Sequence, residues 1–462
     1  MRLLNVYDLL RYRKCPRSFQ LGLTDYMNTE PDREPLSGEA AYALRDLSYK
    51  HFFHMHRSDG VVSAVVDLLI ATPSGWEIVF DTNALYIRET HVWEAALMIY
   101  LLRKAGCNIS YVTALCLRSG YVCDEKPDYL EMYYEVDLTR RALAKLNQLP
   151  EVIKSMCSCT ETQPMWLNER CIKPRECPWW NECKAALPQP NVFSVADLDH
   201  TSKFKLYNRG IVSYEDCLAS DALNGTQKQQ VIFELEKREP LVNYAAVKKF
   251  IKSLWYPMAF LDFESWQPAV PRYQGMKPFE QCAFLYSLHV LRDEAAPLEH
   301  YDLLVKPGED PRRSIAEGLA RDIPQGACII VYSSGLEKHV LKTLSERFPD
   351  LKPTLHKHLE SVRDLLNIFR NKDYYDWRMH GSCSLKRVYP AFLNESDIDY
   401  NELDQIHNGE DAMYTYIRMA HMDEEEYTLY DKRMRDYCSL DTYAMYRIVT
   451  ELIKQLKKKE LI

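Results

Sequence analysis

Residues 256–266, YPMAFLDFESW, form an apolar run that ends in Asp262-Phe263-Glu264. Along an extended strand successive side chains point to opposite faces. Asp262 and Glu264 therefore share one face, while Leu261 and Phe263 turn into packing on the other. Two carboxylates on one strand edge suit a divalent cation. An exposed acidic pair at a strand end has the same local sequence, so the rest of the chain has to decide between the two.

The stretch sits past the middle of a 462-residue chain that is 47% hydrophobic, long enough for two to four domains with cores of their own. No apolar run reaches the length of a membrane span. The first residues mix Arg2, Asp8, Arg11, Arg13 and Lys14 with apolar positions instead of forming a secretory segment. A cytoplasmic protein with no membrane partner is expected. Fourteen cysteines then point to buried thiols and a metal or cluster site, not to a disulfide framework. A net charge of -8 argues against a protein that coats nucleic acid, though not against an enzyme that acts on it through a local basic groove.

Downstream of Glu264, residues 281–291 and 301–305 read as further strands and 312–323 as a helix. Residues 327–333 (ACIIVYS) read as a buried strand, whose turn Ser334-Gly335 opens a helix carrying Glu337. Asp364 competes with Glu337 as the next acidic candidate. Within a helical stretch from 423 to 456, Tyr437 and Asp441 lie one turn apart on one face, so a carboxylate and a phenol can reach one point. The Gly381-Ser382-Cys383-Ser384 loop runs into Lys386 and Arg387, which suits either a phosphate or a polar helix cap. Tyr374, Tyr375 and Trp377 fit either base stacking or core.

Upstream, residues 1–190 read as an α/β domain. A helix runs from residue 3 and stops before Pro16, leaving Cys15 at its edge. Strands follow at 61–70 and 76–81, joined by Pro73-Ser74-Gly75, then a helix at 91–104 and a strand at 109–117. At its end Cys171, Cys177 and Cys183 recur at equal short spacing between prolines. They suit a soft metal centre with Cys15 as a remote fourth ligand, an iron-sulfur cluster or zinc, and inert thiols share the pattern. Cys157 and Cys159 compete as ligands. Residues 191–250 read as a helical connector, with a helix-loop-helix ending near Gly210 and basic positions Lys237, Arg238, Lys248, Lys249 and Lys252.

An early cysteine before a proline, an α/β core and three clustered late cysteines resemble the RecB-like PD-(D/E)xK nucleases with an iron-sulfur cluster, the CRISPR-associated exonuclease type among them. Asp67 matches that family's strand aspartate. The Glu-x-Lys strand is represented by Val79-Phe80-Asp81-Thr82-Asn83 without a lysine, and the helix glutamine position by Met98. The resemblance therefore implies a restriction-endonuclease-like fold holding a 4Fe-4S cluster with its catalysis degenerate. Activity through Asp67 and Asp81 is the alternative.

Asp262, Glu264, Glu337, Tyr437 and Asp441 together resemble the DnaQ-like DEDD exonucleases of the tyrosine subtype, with Ser333, Leu336 and Glu337 standing where that family carries Asn, Phe and Asp. The stretches YPMAFLDFE, GLEKHVL, GSCSLKRVYPAF and YCSLDT resemble a bacterial domain-of-unknown-function family that joins the two halves. The resemblance implies an RNase H-like domain over residues 251–462. Asp262, Glu264, Glu337 and Asp441 would hold two Mg2+ or Mn2+ ions about 4 Å apart. The implied reaction is 3' to 5' hydrolysis of single-stranded DNA or RNA, DNA favoured, with Lys386 and Arg387 on the nucleic acid. A non-catalytic nucleic-acid-binding scaffold is the other expectation.

Overall fold

The computed structural model describes residues 3–24, 36–159, 166–173, 175–393, 406 and 408–460. Pro174, one of the prolines between the late cysteines, lies outside them. The fold is mixed α/β in two compact units, one formed by Met1–Ala186 with Pro268–Glu280, the other by Leu187–Gln267 with Gln281–Ile462. The division differs from the three consecutive blocks expected, and packing explains both differences. Phe233 and Val247, from the expected connector, share a core with Met258 and Phe260. The segment 268–280 packs Ala269, Val270 and Phe279 beside Leu115, Leu117 and Tyr121. It is held there by Cys123 N–H to Met276 O, 2.9 Å, and Gly275 N–H to Cys123 O, 2.6 Å.

In the first unit five strands lie in chain order: β1 (His51–Ser58), β2 (Ser63–Thr72), β3 (Gly75–Asp81), β4 (Ile109–Leu117) and β5 (Tyr133–Asp137). All neighbours are antiparallel except β3 and β4, which are parallel. The helix Glu89–Lys104 makes the crossover that a parallel pair requires. Met98, on that helix, is fully buried in the core. β1 is half exposed without clean alternation, which is why periodicity did not reveal it. The first helix breaks at Cys15, whose φ of -162° is extended, between Val6–Lys14 and Pro16–Thr24. Pro16 fits the first helical position because its missing N–H is unpaired there anyway.

The second unit carries β6 (Leu241–Val242), β7 (Met258–Trp266), β8 (Cys282–Leu291), β9 (Glu299–Leu304), β10 (Cys328–Val331), β11 (Val362–Asp364) and β12 (Tyr374–Tyr375). Its main sheet has the order β11-β10-β7-β8-β9, while β6 and β12 pair by themselves. β7, β8 and β9 form an antiparallel meander, and β10 and β11 continue parallel to β7. The sheet is covered on both faces. Ala259, Leu261 and Phe263 pack on Ile315, Ala316 and Leu319 of the helix Pro311–Asp322. Met258 and Phe260 pack on Met445, Ile448, Val449 and Leu452 of the long helix Glu424–Glu460. Tyr374 and Tyr375 are 3% exposed and belong to this core, so they are not a stacking surface. Among the described residues, no helix is long and apolar enough to cross a membrane.

Candidate metal centre

The two-residue alternation of β7 carries Met258 and Phe260 onto the face of the long helix, and the next two positions of that face are Asp262 and Glu264. The helix does the same from its side. Its apolar stripe runs back through Leu452, Ile448, Val449, Ala444 and Met445. One and two turns earlier the same stripe holds Asp441, then Tyr437 and Cys438. The acidic site is thus the polar end of an otherwise apolar helix-sheet contact.

Atoms of Asp262, Glu264 and Cys438 that can ligate a metal all lie within 4.8 Å of one another, the only such group of three among the described residues. The Cys438 sulfur is 3.6 Å from Asp262 Oδ2 and is fully buried. Glu337 comes from the helix Gly335–Arg347, which starts just past the end of β10. It is 2% exposed, and its Oε2 has no hydrogen-bond partner among the described residues.

Burial and mutual repulsion push these acids toward their neutral forms. Burial, then Asp441, Glu264 and Glu337, hold Asp262 well above the usual carboxylate range. Burial and Asp441 raise Glu264 to about 8, with Lys386 acting against them. Burial is again the main cause for Glu337, also raised to about 8, with Asp364 adding to it. The Tyr437 phenol is pushed far up by burial and then by Asp441, Glu264 and Asp262. All four expected carboxylates therefore act on one neighbourhood. Buried acids at this density, one of them with an unpartnered oxygen, fit a divalent cation.

Asp364 has a different occupation. Its Oδ1 accepts the backbone N–H of Ser333 (3.0 Å) and Leu366 (3.1 Å), and its Oδ2 that of Ser334 (3.0 Å). Ser333 has a φ of 72°, a left-handed conformation costly for a residue with a side chain. Asp364 thus pins the strained turn from which the Glu337 helix starts.

Lys386 Nζ donates to Tyr437 Oη at 3.2 Å and sits 4.7 Å from the ring centre. Arg387, its neighbour on the helix Leu385–Leu393, is exposed. The loop before that helix is fixed by Tyr332 Oη donating to Cys383 O at 2.6 Å and by His380 bonded to buried Glu234 at 3.1 Å. Behind Asp441, Thr442 Oγ1 lies 2.8 Å from His289 Nδ1 and 2.9 Å from Ser287 Oγ. Ser287 and His289 are the β8 partners of Asp262 and Phe260, so this polar contact fixes the helix in register with the acidic strand. Cys438 and Thr442 were not singled out as site residues. The signal for Cys438 was its stripe position, three residues before Asp441.

In the first unit Cys15, Cys171, Cys177 and Cys183 line one cavity, with Trp166, Trp179 and Trp180. Burial raises the Cys171 thiol, with Cys15, Cys177 and Cys183 adding to the rise. Cys157 is exposed, and Cys159 sits 3.9 Å from Pro16 O, so neither is among the cavity's lining residues. Asp67 and Asp81 are buried and engaged. Asp67 Oδ2 accepts the Asp81 N–H at 2.9 Å, and Asp81 accepts the Asn83 N–H at 2.8 Å and the Tyr133 hydroxyl.

Residues 259–384 match the family model described as Domain of unknown function (DUF2779). No curated protein matches the chain, and no solved structure matches it. The matched stretch, about a quarter of the chain, holds Asp262, Glu264, Glu337 and Asp364, while Lys386, Tyr437, Cys438 and Asp441 lie beyond it.

Proposed function

We propose that the second unit is a metal-dependent exonuclease of RNase H-like, DnaQ-like type that removes nucleotides from the 3' end of single-stranded nucleic acid, DNA favoured. The observation that carries this reading is the gathering of Asp262, Glu264, Glu337 and Asp441 in one buried neighbourhood, with an unpartnered Glu337 oxygen and Tyr437 beside them. The strand order, an antiparallel meander extended by two parallel strands, supports the same fold. The four carboxylates would hold Mg2+ or Mn2+, which supply activation of water and neutralise charge on phosphodiester oxygens. Tyr437 orients the attacking water. Lys386, against the phenol and Glu264, supplies positive charge where the phosphate arrives, and exposed Arg387 meets the backbone of the strand.

In the same reading the first unit is a RecB-like PD-(D/E)xK domain whose chemistry has lapsed and whose cysteines Cys15, Cys171, Cys177 and Cys183 hold a 4Fe-4S cluster. Four cysteines lining one cavity of the first unit support a soft metal centre there. The internal hydrogen bonds of Asp67 and Asp81 favour placing the chemistry in the second unit.

The test is digestion of end-labelled single-stranded DNA and RNA with Mg2+ or Mn2+. Laddering that vanishes in Asp262→Ala and persists in Asp67→Ala is expected. Laddering lost only in Asp67→Ala would transfer the activity to the first unit, and tight binding without digestion would favour a scaffold. Visible absorbance of anaerobically purified protein tests the cluster, and stoichiometric zinc without that absorbance would overturn it.

A further inference from the structure

We propose that Cys438 is itself a metal ligand, making Asp262, Glu264 and Cys438 a mixed carboxylate-thiolate seat that takes a thiophilic divalent ion, Zn2+ or Cd2+, in preference to Mg2+. The inference rests on the metal-centre reading of this site and adds to it the identity of the ion.

Three observations carry it. The ligand atoms of the three residues lie mutually within 4.8 Å. Donors around one ion with bonds of about 2.0 to 2.3 Å span at most roughly 4.5 Å, so small movements bring them onto a shared ion. Cys438 is fully buried, and its sulfur faces Asp262, 3.6 Å from Oδ2 and 3.9 Å from the backbone oxygen, instead of the apolar stripe that continues along its helix. Independently, Glu337 is 2% exposed with Oε2 unpartnered among the described residues, and its charge reaches Asp262. Glu337 is not one of the three residues whose ligand atoms meet within 4.8 Å, and it acts on the seat through its charge on Asp262.

The chemistry balances simply. In the ion-free site the thiol donates its proton toward Asp262. On binding, that proton leaves to solvent and the sulfur's electron pair goes to the ion, with no change of oxidation state. Thiolate sulfur favours zinc and cadmium, whereas Mg2+ asks for oxygen donors in a regular octahedron. Zn2+ should therefore displace Mg2+ from this position.

The experiment is Cd2+ titration of the full chain with its four-cysteine site already loaded. It is followed by thiolate-to-cadmium charge-transfer absorption and by 113Cd NMR, with Zn2+ and Mg2+ as competitors. Wild type should bind one further Cd2+ with a one-sulfur signature, displaced by Zn2+ and not by Mg2+ at equal concentration. Cys438→Ser and Cys438→Ala should both lose that signature and weaken Cd2+ binding by at least about tenfold. Thermal unfolding of both variants checks that they are folded. Unchanged Cd2+ affinity and signature in either folded variant would overturn the proposal and leave Cys438 a packing thiol. The two readings fail separately. Loss of the signature in a protein that digests no nucleic acid keeps the seat and removes the hydrolysis. Digestion dependent on Asp262, with Cd2+ binding indifferent to Cys438, keeps the hydrolysis and removes the thiolate.

Discussion

The ammonium of Lys386 lies 3.2 Å from the hydroxyl of Tyr437 and 4.7 Å from the centre of its ring, so one cation touches the phenol along its edge and its face. The same charge opposes the rise of the Glu264 carboxyl. Lys386→Met should cut single-turnover hydrolysis on the order of a hundredfold, the scale for losing one electrostatic contact at a reacting centre. Lys386→Arg should recover part of it. Equal rates for Met and wild type would remove Lys386 from the chemistry.

Glu337 and Asp364 should separate by readout. Asp364→Ala strips three backbone N–H groups of their acceptor. Unfolding by urea should show a loss of about 2 to 3 kcal/mol. Glu337→Gln replaces a buried acid whose Oε2 has no hydrogen-bond partner among the described residues. It should leave the cation-free protein as stable or more stable, yet abolish hydrolysis. The opposite pattern would make Asp364 the middle ligand.

Stability without divalent cations should fall as pH rises from 6.5 to 8. Glu264 and Glu337 are raised from 4.5 to about 8 in the folded protein. Through that window the native state keeps protons that the unfolded chain has released, so each group lowers stability by about 1.4 kcal/mol per pH unit. Buried His289 and His358, lowered to about 3 and about 4, act with the opposite sign below 6.5. They cost stability as pH falls and leave the upper window to the acids. Chemical unfolding at several pH values should show a negative slope that Glu337→Gln reduces and Mn2+ flattens. A slope that Mn2+ leaves untouched would place the proton uptake elsewhere.

Gly381 has a φ of 72°, and a Cβ there would meet Gln230 Nε2 at 2.3 Å and Ser194 O at 3.0 Å. Gln230 is buried and bonded to Ser194, Tyr214 and Glu234, so it has little room to yield. Gly381→Ala should lower stability by about 1 to 3 kcal/mol. It should also slow hydrolysis, because this loop delivers Lys386. Wild-type melting and rate together would show the loop to be slack.

Much of this was legible in the primary structure, for physical reasons that differ by element. β8 and β10 are buried along their whole length and β7 nearly so, and each is legible from an apolar run, broken in β7 by Asp262 and Glu264. Ile109–Leu117 was read to the residue because Gly106 ends the helix before it. β1, β6 and β12 went unread because an edge strand and two-residue pairs leave no period to detect. The acids Asp262, Glu264, Glu337 and Asp441 were legible from strand alternation and helical spacing. The choice between Glu337 and Asp364 was not, since one lies just past the end of β10 and the other at the end of the neighbouring parallel strand β11. Only the donors surrounding Asp364 separate them. Cys438 is not marked by a pattern of oxygen ligands, because it is a thiol on the stripe that carries Asp441.

The segment Pro268–Glu280 belongs to the first unit although it is threaded between β7 and β8 of the second. On the ribosome, the amino-terminal unit cannot complete itself until residue 280 has emerged, and by then β7 is out and waiting for β8. The two units must therefore be finished in alternation. A fragment cut near residue 190 would be an incomplete body missing one piece of its own core, and the boundary between the units is a place where the chain cannot be cut once.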